Sequence, residues 1–141
     1  MKLVKPERFL RENIFSYTLP VRFLDVNAGQ HVSNHIVLDY LTETISNLLQ
    51  SYQMSLGDIE GNGLVFRNIA VKYIKAVFYP ESLTINTSVI DISPTTLSLY
   101  HEIYNSQNEL CYMGFIDCAF ISPSTHKLAK VPLKLKELFN V

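Results

Sequence analysis

The sequence predicts an α+β fold in which an antiparallel sheet packs on one long helix. A single long segment repeats its apolar residues at helical spacing. One stretch with an apolar residue at every second position precedes this segment, and four stretches rich in β-branched and aromatic residues follow it. Because the helix and the sheet would each have one apolar face, we expect these faces to bury each other.

The first predicted strand covers residues 14–23, which read IFSYTLPVRF. Large apolar side chains alternate there with smaller or polar ones, as in a strand with one buried face. Pro20 has no backbone N–H, so it predicts an edge strand or a bulge. The alternating residues are Phe15, Tyr17, Leu19, Val21 and Phe23.

The long predicted helix covers residues 36–52. Its apolar residues recur at intervals of three and four, which places them on one face. Ser33 and Asn34 stand just before it and belong to the residue types that cap helix starts. A glycine-containing stretch, SLGDIEGNG, begins at Ser55 and predicts the end of the helix. The apolar residues are Ile36, Leu38, Leu41, Ile45, Leu48, Leu49 and Tyr52.

The rest of the chain has the composition of β-structure. Turn signals YPES, SPT and NSQN separate the four stretches, which predicts a mostly antiparallel meander. A short amphipathic tail, residues 131–139, predicts one or two final helical turns. The four predicted strands cover residues 64–78, 82–92, 96–104 and 109–122.

The composition excludes several classes of protein. With 48% hydrophobic residues, 18% charged residues and a net charge of -1, the chain matches neither a disordered protein nor one that binds nucleic acid through bulk charge. A length of 141 residues predicts one domain, residues 1–141. The N-terminus lacks the apolar core of a signal peptide, and no run approaches the ~20 apolar residues that span a bilayer. We therefore expect a cytoplasmic protein without a membrane span.

The two cysteines are predicted to be free thiols. Cys111 and Cys118 fall on one predicted strand with opposite parity, so their side chains would point to opposite faces and could not easily pair. Burial is the usual state of such thiols.

An acid, two amides and a histidine lie between the first strand and the helix. They belong to the stretch RFLDVNAGQHVSNHIVLDYL, residues 22–41. Residues of these types orient water and transfer protons in hydrolytic sites. The stretch is therefore a candidate catalytic site.

This stretch resembles the hotdog-fold thioesterases, specifically the 4-hydroxybenzoyl-CoA thioesterase-like group of acyl-CoA and acyl-ACP thioesterases. The family pattern is close to R-x-x-D-x-D-x-x-G/Q-H-V-N-N, followed by a helix of the kind Y-L-E-x-x-E. Downstream, VKYIKAVFYPESLTI is similar to a second family segment, with Lys75 and Glu81 on its basic and acidic positions. The residues that match the first pattern without a gap are Arg22, Asp25, Gln30, His31, Val32 and Asn34.

The resemblance implies both architecture and activity. It implies a hotdog fold, with the antiparallel sheet wrapped around one long central helix, and hydrolysis of an acyl-CoA or acyl-ACP thioester without a cofactor. In this family the sheets of two subunits join and the acyl pocket lies at their interface. A homodimer or homotetramer is therefore implied.

The resemblance leaves the catalytic residue open. The family's usual catalytic carboxylate, the second acid of D-x-D, corresponds to Asn27, and an amide is neither a nucleophile nor a base at neutral pH. The work would then fall on Asp25, on Glu43 in the helix, or on a water held by Asn27 and His31. Plant acyl-ACP thioesterases, which the strings LDVN and QH resemble, use an asparagine and a histidine beside an acid.

Thioester hydrolysis also needs a group that holds the oxyanion. The exposed N–H groups and positive dipole end of the helix, next to Asn34, suit that role. Lys75 is a candidate ligand for a phosphate of the coenzyme A arm. No metal site is predicted, since no motif with ligand spacing surrounds the histidines.

Each candidate has a structural alternative. Asp25 is also a suitable capping acid, Asn27 a turn residue, and His31 a partly buried ring. Glu43 is also a suitable solvated helix acid, and Lys75 a charge that protects a sheet edge.

Two other functions remain open. Loss of the usual acid at Asn27 favours a non-catalytic hotdog protein that binds an acyl thioester. A hotdog hydratase is the other, although DVNAGQH does not match its D-x-N-P-x-H motif.

Overall fold

A computed structural model describes residues 2–141 of the chain. One long helix follows the first strand, and the other strands come after it, as predicted. The elements are β1 (Arg11–Pro20), a 3-10 turn (Phe23–Asp25), α1 (Ile36–Gln50), β2 (Gly63–Tyr73), β3 (Ser82–Ile92), β4 (Thr96–Tyr104), β5 (Leu110–Ile121), β6 (Leu128–Ala129) and α2 (Leu133–Leu138).

The strands form one antiparallel sheet in the order β1-β3-β4-β5-β2, and the short β6 pairs with β5. Strands β1 and β2 are therefore the two edges. Pro20 is the last residue of β1, so the edge position predicted from its missing N–H is confirmed.

The core lies between α1 and one face of the sheet. The apolar face of α1 packs against strand residues that share one parity, including Leu83, Ile85 and Leu99. Gly114 on β5 permits a close approach, since a Cβ there would lie 2.8 Å from Leu41 Cδ1. The predicted α+β class is confirmed by this packing.

Several predicted boundaries shift. Strand β1 ends before Val21, whose N–H donates instead to the Glu81 carbonyl, and the chain then turns at Phe23–Asp25. Strand β2 ends at Tyr73 because the N–H groups of Ile74 and Lys75 both donate to the carbonyl of Cys111 and so leave the ladder. β6 was not predicted, since two residues are too short to display a period.

The expected helix cap is wrong. The residue at the N-cap of α1 is His35, in helical backbone conformation, and no side chain caps this end. The carbonyl of Ser33 accepts the N–H of Ile36 at 3.0 Å, so a backbone turn replaces the predicted side-chain cap. The two cysteines are buried free thiols, as predicted.

Candidate active site

A groove of about 620 Å³ opens between the start of α1 and the end of β2. Four of the six predicted site residues line it together: Asn27, His31, Asn34 and Lys75. With Tyr112, which also lines it, the groove collects residues from three separate parts of the chain. Their individual roles in catalysis stay predictions.

The segment before α1, residues 27–34, is held by a tight backbone turn. The Asn27 N–H donates to the His31 carbonyl at 2.9 Å, and Val26 forms an antiparallel bridge with Val32. The Asn27 Oδ1 atom accepts the N–H groups of Gly29 at 3.0 Å and His31 at 3.3 Å. Asn27 therefore has the turn role that the sequence left open, and its amide nitrogen is the polar group available to the groove.

The His31 imidazole is exposed on the groove and packs against one aromatic ring. Its ring centroid lies 4.5 Å from that of Phe78, and the two residues also form a backbone bridge. A Cβ at position 29 would lie 3.4 Å from His31 Cδ2, so Gly29 leaves the imidazole its place. His31 is thus oriented by neighbours while both ring nitrogens stay without a protein partner among residues 2–141.

The start of α1 forms another wall of the groove. Within residues 2–141, the backbone N–H groups of Asn34 and His35 donate to no acceptor, and both stand at the positive end of the helix. The Tyr73 hydroxyl donates to the Asn34 carbonyl at 2.9 Å, which ties the helix start to β2. An anion or a polarised carbonyl at this point would meet unpaired donors.

Two tyrosines in edge-to-face contact also line the groove. The rings of Tyr73 and Tyr112 meet edge to face with centroids 5.7 Å apart. Burial raises the pKa of Tyr112 to about 12, so its phenol stays protonated at neutral pH. Both rings add apolar surface to the groove.

Lys75 lies at one rim of the groove. Its ammonium forms an ion pair with the Glu109 carboxylate. Hydrogen bonds to that carboxylate from Lys75 first, and from Asn105, lower the pKa of Glu109.

Asp25 lies away from the groove although it is only two residues from Asn27. Its side chain is buried, and Oδ2 accepts the Arg22 N–H at 2.9 Å and the Tyr40 hydroxyl at 2.8 Å. The 3-10 turn directs the carboxylate inward, which gives Asp25 the capping role considered for it. Burial and the bond to Asp25 raise the pKa of Tyr40 far above its usual value.

Glu43 also lies apart from the groove. Its carboxylate accepts the Tyr17 hydroxyl at 2.9 Å and an Arg22 guanidinium N–H at 3.2 Å. This group joins α1 to the edge strand β1. Hydrogen bonding to Glu43 is the main cause of the raised pKa of Tyr17.

Sequence reasoning did not single out Tyr112, Gly29 or Glu109. Tyr112 reaches the groove through its cross-strand pairing with Tyr73, and Glu109 contacts the groove residue Lys75 from the turn between β4 and β5. No pattern among neighbouring residues predicts these two contacts. The glycine in NAGQH was a usable signal, since glycine in irregular backbone can mark a place where another group approaches the chain closely.

Among residues 2–141, no cluster of three His, Cys, Asp or Glu side chains has the arrangement of a metal site. In this same range, none of the helices combines the length and apolarity needed to cross a membrane.

Comparison with known structures identifies the fold. The DHNA-CoA thioesterase of Staphylococcus aureus is 19% identical, with 89% of this chain and 87% of that chain covered and a TM-score of 0.80. The 1,4-dihydroxy-2-naphthoyl-CoA thioesterase Slr0204 of Synechocystis is 18% identical, with coverage of 89% and 95% and a TM-score of 0.81. The Staphylococcus aureus protein SAV2348, solved in complex with CoA, is 14% identical, with coverage of 89% and 81% and a TM-score of 0.81. At these identities the likeness establishes the shared hotdog fold.

Sequence comparison points to the same group of proteins. A search of curated proteins finds no significant match. Residues 21–139, however, match the family described as the thioesterase-like superfamily. Since this match covers most of the chain and agrees with the fold, the chain belongs to the thioesterase-like superfamily.

Proposed function

We propose that this protein hydrolyses an acyl thioester of coenzyme A or acyl carrier protein to the free acid and the thiol. The observation that carries the proposal is the pairing of an exposed, oriented His31 with unpaired N–H groups at the start of α1 across one groove. A proton acceptor and an oxyanion donor are the two parts that this reaction requires.

In the proposed reaction, water attacks the thioester carbonyl carbon while the His31 imidazole accepts one of its protons. The carbonyl oxygen becomes an oxyanion and accepts hydrogen bonds from the N–H groups of Asn34 and His35. When the tetrahedral intermediate collapses, the C–S bond breaks and the imidazolium returns the proton to the thiolate. The amide nitrogen of Asn27 donates to the substrate or the attacking water.

Asp25 and Glu43 act as supporting residues in this proposal. The Asp25 carboxylate is bonded to Tyr40 and to the Arg22 N–H, and Glu43 to Tyr17 and Arg22. Neither carboxylate lines the groove. Their function is then to hold the turn before α1 and the start of the helix in place.

The carrier is the part of the substrate that Lys75 would recognise. An ammonium at the rim suits a phosphate of the phosphopantetheine arm, which coenzyme A and acyl carrier protein share. The CoA complex of SAV2348 supports a ligand of this type.

We also propose a homodimer, or a homotetramer built from such dimers, formed through the edge strand β2. This strand has one unpaired edge and exposes large apolar residues, among them Ile69 at 42% and Tyr73 at 48%. Such an edge favours pairing with a second copy. We place the protein in the cytoplasm, a compartment that keeps thiols such as Cys111 and Cys118 reduced.

The first experiment measures free-thiol release from short, medium, long and aromatic acyl-CoAs. We expect turnover on at least one of them, and a loss of 10²- to 10⁴-fold in kcat for His31→Gln, the usual range for a missing acid–base group. The variant His126→Gln is the matched control, since it changes an exposed histidine on the loop between β5 and β6 that neither lines the groove nor takes part in the proposed reaction. Equal losses in both variants would contradict a special role for His31.

A non-catalytic protein that binds acyl thioesters is the second candidate, favoured by the amide at position 27. Asn27→Asp separates the two, because a carboxylate accepts the same Gly29 and His31 N–H groups and restores the family's acid. A wild-type protein that binds acyl-CoA without turnover, together with an active Asn27→Asp variant, would establish the non-catalytic candidate. Loss of enoyl-CoA absorbance without thiol release would instead indicate a hydratase.

A further inference from the structure

The ion pair between Lys75 and Glu109 is fixed from both ends. The Lys75 N–H donates to the Cys111 carbonyl at 3.1 Å, which anchors its backbone to β5. Glu109 is held by Asn105, whose Nδ2 donates to Oε1 at 3.0 Å and whose Oδ1 accepts the Glu109 N–H at 2.9 Å. These bonds hold the Glu109 carboxylate in position beside the Lys75 ammonium.

Lys75 of this pair is the only lysine or arginine among residues 2–141 that lines the groove. The side chains of the pair remain partly exposed, 49% for Lys75 and 38% for Glu109, so an incoming anion can reach the ammonium. Glu81 adds a second negative charge close enough to interact with Glu109. A phosphate that approaches Lys75 must therefore compete with a resident carboxylate.

We infer that Glu109 is a specificity-determining residue that occupies Lys75 until the phosphate of a phosphopantetheine arm displaces it. The inference rests on the proposed function, because it assumes that the groove receives the arm of a carrier. Exchange of one anion for another keeps Lys75 paired in both states. Thiols without a phosphate gain nothing from Lys75, since they leave the Glu109 pair intact.

Removing the competing charge should tighten phosphate binding. In Glu109→Gln the side chain keeps its oxygen for Asn105 but no longer neutralises Lys75. Exposed ion pairs of this type are weak, so we expect a roughly 2- to 5-fold lower Kd. Lys75→Gln should raise the Kd, and in the double variant the Glu109 substitution should have no further effect, since its target is gone.

Calorimetric titration with CoA, phosphopantetheine and pantetheine tests the inference without requiring turnover. The control is Glu81→Gln, which removes a nearby charge whose Oε1 accepts the N–H groups of Ser82 and Ser106 and does not contact Lys75. We expect tighter CoA binding for Glu109→Gln, a clearly smaller change for Glu81→Gln, and no change with pantetheine.

Each outcome separates the inference from the proposed function. Tighter phosphopantetheine binding would support displacement of Glu109 by the arm's phosphate. An effect limited to CoA would overturn this inference, since the nucleotide phosphates would then be the groups that compete with Glu109. Equal changes in Glu109→Gln and Glu81→Gln, or unchanged CoA affinity in Glu109→Gln, would overturn it. Absence of thiol release with the expected binding pattern would overturn the proposed hydrolysis alone.

Discussion

The groove and the interior beneath α1 contain residues of similar type that have opposite roles. His31 is exposed and its imidazole has no protein partner in residues 2–141, whereas His101 on β4 is fully buried and bonds Thr87 at 2.9 Å through Nδ1. Asn27 leaves an amide nitrogen available to the groove, whereas the Asp25 carboxylate accepts two buried donors. Residue type is thus a poor guide to role in this chain.

The two regions differ in whether their side-chain donors and acceptors are available to a ligand. In the interior, most polar side-chain groups bond one another because burial of an unpaired group is costly, and His101 Nε2 is the exception among residues 2–141. In the groove, backbone turns hold the residues in place and leave their side-chain donors and acceptors open. The acid of the motif therefore stabilises the fold, and the amide and histidine are the groups available for chemistry.

The largest expected effect is a loss of stability when the hydrogen bonds to the buried Asp25 carboxylate are removed. Asp25→Ala leaves the Tyr40 hydroxyl and the Arg22 N–H without an acceptor, and we expect a loss of about 3 kcal/mol in the free energy of unfolding. Tyr40→Phe removes one donor only and should cost about 1 kcal/mol. Urea unfolding followed by circular dichroism measures both. Equal midpoints for Asp25→Ala and the wild type would refute the structural role.

The activity of the variant Asp25→Asn tests whether the role of Asp25 is structural or catalytic. The amide oxygen can still accept both donors, so we expect a folded variant whose kcat stays within roughly tenfold of the wild type. Thiol release at a temperature well below unfolding measures it. Abolished turnover in a folded Asp25→Asn protein would return the role of catalytic base to Asp25.

The second effect is the dependence of stability on pH that the buried His101 produces. Burial lowers the pKa of His101 from 6.5 to about 3, so the unfolded chain binds a proton more readily than the native one. The contribution of neutral His101 to stability is complete above pH 6.5 and is lost as the pH falls toward 3. The slope reaches at most about 1.4 kcal/mol per pH unit.

Urea unfolding at several pH values between 6.5 and 3 tests this expectation. His101→Gln should flatten the slope whatever its own stability, whereas the control His126→Gln, at an exposed loop position, should keep it. The same slope in all three proteins would mean that His101 does not titrate in this window.

The smallest effect concerns Glu43. Glu43→Gln keeps an oxygen for the Tyr17 hydroxyl and loses only the charge opposite Arg22, whose side chain is 58% exposed. We expect less than about 1 kcal/mol of lost stability and a kcat within twofold of the wild type. Urea unfolding and thiol release measure the two quantities. A hundredfold lower kcat would make Glu43 a catalytic candidate again.

Local patterns in the sequence determined the elements of this protein. The helix, β3, β4 and the C-terminal helical turns match their predicted positions because periodicity and turn residues act over a few neighbouring residues. The motif also located the segment that forms the groove, since Asn27, His31 and Asn34 lie in it.

Only the tertiary structure decided which residues of the motif meet. Asp25 and Asn27 are separated because the 3-10 turn directs one side chain toward Tyr40 and the other toward the groove. Strand register brings Tyr112 into the groove, and a turn remote in sequence places Glu109 against Lys75. Such contacts depend on how the sheet and helix pack, and a local pattern carries no information about its distant partners.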